Sequence, residues 1–401
     1  MYDILRGVRI VEVAGWTFVP AAGAVCADWG ADVIKVESLN GGDPQRGLFT
    51  ASLGQDSPDV LLQVPNRGKR SLALDIRTEA GRGVLHRLLR TADVFLTNVR
   101  PRARERLGID EATVRELNPR LIYASGTGQG ARGPDADKGG FDIASAFARA
   151  GMVHRLTPHG AAEPACFPPA FVDLQGGLTI AAGIAAALYQ RERTGEATTV
   201  DVSLLSVGAW MMSPDIVASG YSGEAVPVRP RADAANPLVN SYETKDGRWL
   251  YLVLLQADRW WPDFCRHVGR PDLIENERFA TAAARAAHRQ DCITELESII
   301  GSRTLAEWHE AFETLEGVWA PAQSPVEVRE DPQVVANGYL PKAVGDGVAF
   351  ELVASPVQFG QEPLGELRPA PALGAEGDDV LRELGLSDDE LIDLKIAGAL
   401  Q

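Results

Sequence analysis

The sequence predicts an α/β fold with a parallel sheet in a large domain, followed by a smaller α+β domain. Short apolar runs alternate with helical patterns between Val8 and Ala124, as is typical of a doubly wound, Rossmann-like sheet. After Pro237 the pattern changes to a hairpin followed by helices, which indicates the second domain. In a sheet of the first kind, ligands bind at the carboxyl ends of the strands.

The large domain begins with a predicted strand at 8–13, a helix at 20–29 that Gly30 ends, and a strand at 33–36. Such a βαβ unit is parallel and right-handed. The other predicted elements of this domain are the strands 71–74, 94–97 and 121–124 and the helices 79–89, 111–117 and 174–191.

Composition shifts set the predicted domain boundaries. Residues 222–237 are rich in Pro, Ala and charge and are predicted to be a linker. Residues 1–221 then form the first part of the large domain, 238–318 the small domain, and 319–401 the return linker and the last part of the large domain. Asp246-Gly247 predicts the hairpin turn of the small domain, and Ser387 with Glu390 predicts a capping box for the final helix.

Composition excludes several classes of partner. The net charge of −16 over 401 residues argues against nucleic acid and anionic membrane surfaces. The longest apolar run, 178–189, is too short to span a bilayer, and no signal-peptide pattern stands at the N-terminus, so we expect a cytoplasmic protein. The four cysteines lack CxxC spacing and predict neither a disulfide framework nor a zinc site.

The first strand–helix turn allows a dinucleotide interpretation. Glu37 ends the second strand, where a ribose-binding acid stands in NAD enzymes. However, the turn lacks GxGxxG, and Trp16 and Phe18 would block a pyrophosphate. An NAD-linked dehydrogenase is therefore a disfavoured alternative.

Basic residues gather at two loops of the predicted sheet, in an otherwise acidic chain. They are Arg67, Lys69 and Arg70 before one strand and Arg100, Arg102, Arg104 and Arg106 after another. Several of them are predicted to converge on a phosphorylated ligand. The alternative is a solvated surface that balances charge. The loop at 125–130 (Ser-Gly-Thr-Gly-Gln-Gly) is also well placed for a ligand, because it follows a strand.

One carboxylate stands out. Asp173 precedes Gly176, Gly177 and a long apolar helical run. The helix macrodipole is expected to keep Asp173 charged and hence nucleophilic, and the two glycines are expected to let a substrate approach the backbone closely. The alternative is that Asp173 only caps the helix.

Six short motifs, each present once, follow one another along the chain. They are Gly-Ala-Asp-Val-Ile-Lys-Val-Glu at 30–37 with Gly42-Asp43, Asn-Arg-Gly-Lys-Arg-Ser at 66–71, the stretch 173–177, Arg193-Thr194-Gly195, Val-Asp-Val-Ser at 200–203 and Leu-Gly-Leu-Ser at 384–387. Together they resemble the class III CoA-transferases (CaiB/BaiF type), the family of formyl-CoA and carnitine CoA-transferases, over essentially the whole chain.

The resemblance implies an acyl-CoA:carboxylate CoA-transferase that works through an aspartyl mixed anhydride and an aspartyl-CoA thioester on Asp173. Backbone N–H groups near Gly176 and Gly177 would then stabilise the oxyanions. The CoA contacts it implies fall on Thr17, Phe18, Ser38, Leu74, Asp75, Ile76, Arg77, Asn98, Val99, Arg100, Arg106, Lys138, Gly139, Gly140 and Phe141. Ser38 stands where the best-known members carry an arginine.

The resemblance also implies an interlocked homodimer. Its substrates would be an acyl-CoA, which carries coenzyme A, and a carboxylic acid. Neither a metal nor a permanently bound cofactor is expected. Two alternatives stay open: an α-methylacyl-CoA racemase, and a non-catalytic acyl-CoA-binding paralogue. The histidine of the racemases maps to Phe141, which cannot transfer a proton, so a transferase is preferred. The glycine-rich loop associated with oxalate is absent from the small domain, which argues against a formyl-CoA:oxalate enzyme.

Overall fold

A computed structural model describes residues 1–48, 58–345 and 348–401. The chain divides into two compact units. The larger unit comprises Met1–His154, Ala165–Ala225 and Pro332–Gln401, and the smaller comprises Arg155–Pro164 and Val226–Asp331. The division after Ala225 falls within the predicted linker 222–237, and the division after Asp331 falls within the stretch 319–401, which was predicted to hold the return linker and the last part of the large domain.

The larger unit is built on a six-stranded sheet. Its strands are β1 Arg9–Val13, β2 Asp32–Glu37, β3 Arg70–Ala73, β4 Val94–Thr97, β5 Ile122–Thr127 and β6 Thr199–Ser203. The order is β3-β2-β1-β4-β5-β6, and each neighbouring pair is parallel, which confirms the predicted sheet. β6 was not predicted as a strand, because this half-exposed edge strand has only two apolar residues, Val200 and Val202.

Helices flank this sheet. They are α1 Phe18–Asp28, α2 Val60–Asn66, α3 Glu79–Leu89, α4 Pro101–Leu107, α5 Glu111–Leu117, α6 Met152–Leu156, α7 Phe171–Thr194, α8 Leu204–Met211 and α9 Ser213–Ser222, with a π-helical segment at Ile143–Ala148. The bounds predicted for α3 and α5 are confirmed, and Thr78 and Asp110 cap these two helices through their side chains. α7 is longer than predicted at both ends.

The core of the larger unit includes a close crossing of α1 and α7. A Cβ on Gly176 would lie 2.3 Å from the ring of Phe18, and one on Gly177 would lie 2.5 Å from the Cβ of Ala21. α7 is long and apolar enough to cross a membrane by length and composition, unlike the shorter run considered in the sequence, but half of its most apolar window is buried in the protein. Its packing on α1 is that of a core helix.

The smaller unit has a three-stranded antiparallel sheet, β7 Val239–Glu243, β8 Trp249–Val253 and β9 Trp319–Pro321. The predicted hairpin turn at Asp246-Gly247 joins β7 to β8, and Gly247 takes a φ of +73° there. Its helices are α10 Ala257–His267, α11 Ala282–Ala287, α12 Arg289–Ile300, α13 Leu305–Ala311 and α14 Pro325–Glu330, with 3-10 turns at Arg231–Asp233 and Pro271–Leu273. Trp261 and Trp308 are buried in its core.

The last part of the chain supports the sheet edge of the larger unit. Its elements are α15 Pro332–Ala336, β10 Lys342–Gly345, β11 Val348–Glu351, α16 Gly377–Glu383 and α17 Asp388–Ile396. α17 begins at the predicted capping box of Ser387 and Glu390. The carbonyl of Ala399 accepts a hydrogen bond from the N–H of Asp75 (2.9 Å), and Leu400 pairs with Leu74, so the C-terminal residues hold the loop after β3.

Candidate functional site

A cleft of about 630 Å³ opens at the carboxyl ends of the parallel strands. All six strands contribute to its lining at or just after their last residue, through Val13, Glu37, Leu74, Asn98, Gly128 and Leu204. The sheet order reverses between β1 and β4, and in open α/β sheets ligands bind beside such a reversal. The cleft is therefore the candidate functional site.

Most of the predicted site residues meet in this one cleft, although they come from distant parts of the sequence. Those that line it are Phe18, Ser38, Leu74, Asp75, Ile76, Arg77, Asn98, Val99, Arg100, Lys138, Gly139, Gly140, Phe141 and Asp173. The predicted loop at 125–130 reaches it through Gly126, Thr127 and Gly128.

Two predicted contacts do not line the cleft. Thr17 is buried, and its hydroxyl is hydrogen-bonded to the side-chain amide of Gln45 (2.9 Å). Arg106 is exposed on α4, whose cleft-lining residues include Ala103 and Leu107. Arg106 lies three positions after Ala103, so it is near that helix face, but it does not line the cleft itself. A contact between Arg106 and a ligand therefore stays a prediction.

Most of the basic group does not meet at the cleft. Arg67 forms an ion pair with Asp28, Lys69 with Glu12, and Arg70 with Asp32 and Glu383. The guanidinium of Arg104 donates to the Val99 carbonyl, and Arg102 pairs with Asp137 at 3.1 Å. These five side chains are thus engaged within the protein. Of this group, Arg100 lines the cleft.

Three cationic side chains border the cleft. Arg77 is paired with Asp75 (2.8 Å) and Lys138 with Asp135 (2.7 Å). Arg100 is exposed and has no carboxylate within ion-pair distance among the residues that the structure describes. Arginine binds phosphate oxygens through charge-assisted hydrogen bonds, so Arg100 is the most available anion-binding group here.

Asp173 lies in the first turn of α7 and is only 9% exposed. Burial, together with the negative charge of Asp142, raises the pKa of Asp173 to about 7. This direction is opposite to the one expected from the helix terminus, because burial and the charge of Asp142 both oppose ionisation. The capping alternative is wrong as well, since the N-cap residue is Ala170, with a φ of +64°.

Asp142 is a functional candidate that the sequence reasoning missed. Its Oδ1 accepts the N–H of Ile143 (2.8 Å), and its Oδ2 accepts the N–H of Val172 (3.3 Å). The side chain thus caps the π-helical segment and binds the first turn of α7, next to Asp173. The available signal was an acidic residue directly before the apolar run 143–148, a helix-capping pattern.

Gly176 and Gly177 do not present their backbone to the cleft in the expected way. Both pack against α1, and the N–H groups at these positions of a helix bond to carbonyls four residues earlier. The N–H groups without an intrahelical partner belong to the first residues of a helix. Helix packing accounts for these two glycines, and a role for nearby N–H groups in stabilising oxyanions stays a prediction.

A buried charge network fixes the turn after β1, which forms one wall of the cleft. Lys35 lies 2.9 Å from both Glu12 and Asp43, and Lys69 lies 2.7 Å from Glu12. These four side chains are buried, so their charges are tolerated because they are paired. The Ala14 carbonyl accepts a further hydrogen bond from Lys35 (2.8 Å), which connects the network to the turn.

Glu37 lies at the cleft, but its carboxylate is already engaged. Arg46 donates to both of its oxygens (2.8 and 2.6 Å), and the hydroxyl of Ser71 and the N–H of Asp43 donate to it as well. Burial acts to raise the pKa of Glu37, but these hydrogen bonds and the charges of Lys35 and Arg46 outweigh it and lower the pKa. This internal role disfavours the dinucleotide interpretation, which needs Glu37 for a ribose.

Comparisons of the sequence and of the structure with known proteins all identify the same family over nearly the whole chain. A family model described as CoA-transferase family III matches residues 5–377. The (R)-2-hydroxy-4-methylpentanoate CoA-transferase of Clostridioides difficile is 32% identical, with 98% of each chain aligned. The cinnamoyl-CoA:phenyllactate CoA-transferase of Clostridium sporogenes is 33% identical over 98% of this chain and 96% of that protein. The crystal structure of a CaiB/BaiF family protein from Brucella suis superposes with a TM-score of 0.81 at 28% identity, covering 96% of this chain and 100% of that one.

Proposed function

This chain belongs to CoA-transferase family III and is a CoA-transferase, and from that premise we propose that Asp173 carries a CoA group between an acyl-CoA and a carboxylic acid. The observation that supports this role is the position of Asp173: its carboxyl is nearly buried at the start of α7, in the cleft that collects the predicted CoA contacts. A carboxylate in such a site is able to attack a thioester, and fold alone would not justify this role.

The first half of the proposed reaction releases CoA from the donor. A carboxylate oxygen of Asp173 attacks the thioester carbonyl carbon, the C–S bond breaks, and CoA leaves as a thiolate from an acyl-aspartyl anhydride. The thiolate sulfur then attacks the aspartyl carbonyl carbon, and the donor acid leaves as a carboxylate. Asp173 is now a CoA thioester, and two easier steps replace one difficult exchange.

The second half reverses these steps with the acceptor. A carboxylate oxygen of the acceptor attacks the aspartyl thioester carbon, which forms a new anhydride and releases the CoA thiolate. The thiolate attacks the acceptor's carbonyl carbon, so the new acyl-CoA leaves and the carboxylate of Asp173 is restored. Because the attacking form is the carboxylate, a pKa of about 7 makes the first step faster as pH rises through neutrality.

The CoA phosphates are proposed to bind at the side of the cleft that carries Arg77, Arg100 and Lys138. Charge-assisted hydrogen bonds from these side chains suit phosphate groups in a protein whose net charge is −16. Holding CoA there also keeps the released thiolate near Asp173 for its second attack, since bound reactants meet at a high effective concentration.

Phe141 supports a transferase over a racemase. A racemase needs two acid–base groups that flank the α-carbon, and Phe141 lines the cleft at the position of the racemase histidine. A 2-methylacyl-CoA incubated with the enzyme in deuterated water is therefore expected to gain no deuterium at its α-carbon. Exchange at the rate of turnover would make the racemase interpretation correct.

We also propose that the chain forms a homodimer. α8 and α9 expose large apolar side chains, among them Trp210 (80% exposed), Tyr221 (92%), Ile216 and Val217. Large apolar side chains exposed on two consecutive helices favour a protein interface at this surface. Sedimentation of the purified chain tests this proposal, because a monomer at micromolar concentration would contradict it.

The test of the catalytic role is to trap the intermediate. After addition of an acyl-CoA, hydroxylamine is expected to convert the activated carboxyl of Asp173 to a hydroxamate, which peptide mass spectrometry locates. Asp173→Asn is expected to lose transfer by at least about a thousand-fold while it still binds CoA. Transfer at the wild-type rate in that variant, or trapping at another residue, would refute the proposal.

A further inference from the structure

Trp16 and Phe141 form an aromatic pair in the wall of the cleft. Their ring centroids lie 5.2 Å apart with an interplanar angle of 89°, an edge-to-face contact. Both rings line the cleft, and they remain 38% and 57% exposed. Large apolar rings exposed in a concave site favour binding of an apolar ligand group, because contact with the rings removes apolar surface from water.

The chain holds Trp16 in a costly conformation. Its φ of +66° is in the left-handed region, which bulky residues rarely occupy. The N–H of Trp16 donates to Oδ1 of Asp43 (3.2 Å), and Asp43 is paired with buried Lys35. The preceding residue is also fixed, since Gly15 exchanges two hydrogen bonds with the side chain of Asn98. Strain that surrounding contacts maintain in this way is concentrated at functional sites.

Both rings are connected to the first turns of α7, where Asp173 lies. Phe18, two residues after Trp16, packs against Gly176 of α7. Asp142, directly after Phe141, accepts the N–H of Val172. The aromatic pair therefore lies at the Asp173 end of the cleft, where the acyl group of a bound thioester would be.

From this arrangement we infer that Trp16 and Phe141 bind the acyl group, and that they select acyl-CoAs with a branched aliphatic or aromatic acyl chain over short or charged ones. The inference rests on the proposed function only in placing the thioester beside Asp173. The two rings supply apolar area and no charge, so an acyl group with a second carboxylate would lose its hydration there without a partner. An acetyl group is too small to cover the two rings, so it would remove little apolar surface from water.

Binding measurements on the Asp173→Asn variant test this inference without turnover. Calorimetry would compare CoA, acetyl-CoA, glutaryl-CoA, 4-methylpentanoyl-CoA and 3-phenylpropanoyl-CoA. The two apolar thioesters are expected to bind about ten- to hundred-fold more tightly than acetyl-CoA, since each added methylene in an apolar pocket changes affinity severalfold. Glutaryl-CoA is expected to bind no better than acetyl-CoA.

Further substitutions in the Asp173→Asn variant test whether the two rings cause the preference for apolar acyl groups. Trp16→Gly tolerates the positive φ and keeps the turn, and Phe141→Ala removes the other ring. Each is expected to bring the affinity ratio of phenylpropanoyl-CoA to acetyl-CoA close to one, which would move Phe141 from the predicted CoA contacts to the acyl-binding residues. Tyr189→Ala is the matched control, because Tyr189 is an exposed aromatic residue of α7 that does not line the cleft. This control should keep the full ratio.

Two results would overturn the inference. One is equal affinity for all five ligands before any aromatic ring is removed. The other is an equal loss of affinity for CoA and for every thioester in the ring variants, which would assign the rings to the CoA moiety. CoA transfer by the wild-type enzyme is measured in a separate experiment. Absence of transfer would count against the proposed reaction, whereas the role of the rings would still be decided by the binding measurements.

Discussion

Asp142 and Asp173 lie side by side at the start of α7, where burial and the charge of Asp142 together raise the pKa of Asp173 to about 7. The two carboxyl groups differ in their partners. Asp142 accepts two backbone N–H groups, those of Ile143 and Val172. Asp173 therefore protonates near neutrality, while its neighbour stays suited to a structural role.

Asp142→Asn is expected to move the pH dependence of transfer. Removing this negative charge lowers the pKa of Asp173, so the acid limb of the pH–rate profile should shift to lower pH. The shift is partial, because burial is the larger cause and persists. Asparagine has one acceptor oxygen, so it can keep the N–H of Ile143 and with it the cap, but it loses the contact with the N–H of Val172. An unchanged profile with normal CoA affinity would show that Asp142 does not tune Asp173.

Asp173→Asn is expected to make folding stability less dependent on pH. A pKa raised from 3.8 to about 7 means that ionisation opposes the folded state, so stability is lost as pH rises from about 4 to 7. At 1.36 kcal/mol per pKa unit, the effect is about 4 kcal/mol at pH 8. Thermal denaturation should show a higher Tm for the variant at pH 8 and little difference at pH 4. Parallel curves for the two proteins would contradict the raised pKa.

Arg100→Ala is expected to weaken CoA binding about ten- to hundred-fold, because a hydrogen bond to a charged group contributes about 1.5–3 kcal/mol. Arg106→Ala is the matched control, since this nearby arginine is exposed outside the cleft. Comparing dephospho-CoA with CoA identifies the phosphate: a loss confined to CoA indicates the 3′-phosphate, and equal losses indicate the pyrophosphate. A larger effect at Arg106 than at Arg100 would refute this assignment.

Gly177→Ala is expected to destabilise the protein by about 1–3 kcal/mol through overpacking. The new Cβ would lie 2.5 Å from the Cβ of Ala21 and 2.9 Å from the Phe18 carbonyl oxygen, and backbone atoms cannot move aside cheaply. Gly83→Ala in α3 is the control, because nothing lies within 4 Å of its added Cβ. That substitution should stabilise by about 0.5–1 kcal/mol. Equal unfolding midpoints in urea for the two variants would contradict the packing role of Gly177.

The sequence predicted features that depend on local pattern. The strand of β4 and the helices α3 and α5 follow from apolar periodicity and side-chain caps. Most of the residues that line the cleft were expected there from the family resemblance. That Arg106 does not line the cleft depends on the rotation of the seven-residue helix α4, which motif position does not specify. The packing of the α7 glycines could not be predicted because their partner, α1, is distant in sequence.

The buried charges show a second limit of sequence reasoning. Glu12 and Lys35 stand within apolar strands, and their pairing depends on the register that places Glu12 opposite Lys35. Asp142 likewise acquires its role from a contact with Val172, thirty residues later. Single-chain patterns identify which residues are unusual, but the partner that explains each one is set by tertiary structure.

The start of α7 has a consequence for amide hydrogen exchange. The N–H groups of its first turn have no helix carbonyl to bond to, whereas those after Gly176 lie in a helix held against α1. In deuterated solvent, the amides around Asp173 should exchange through small local openings, and those a few residues later only through opening of the whole unit. Asp173, the proposed nucleophile, is thus attached to the first turn of this helix, ahead of the part that packs on α1.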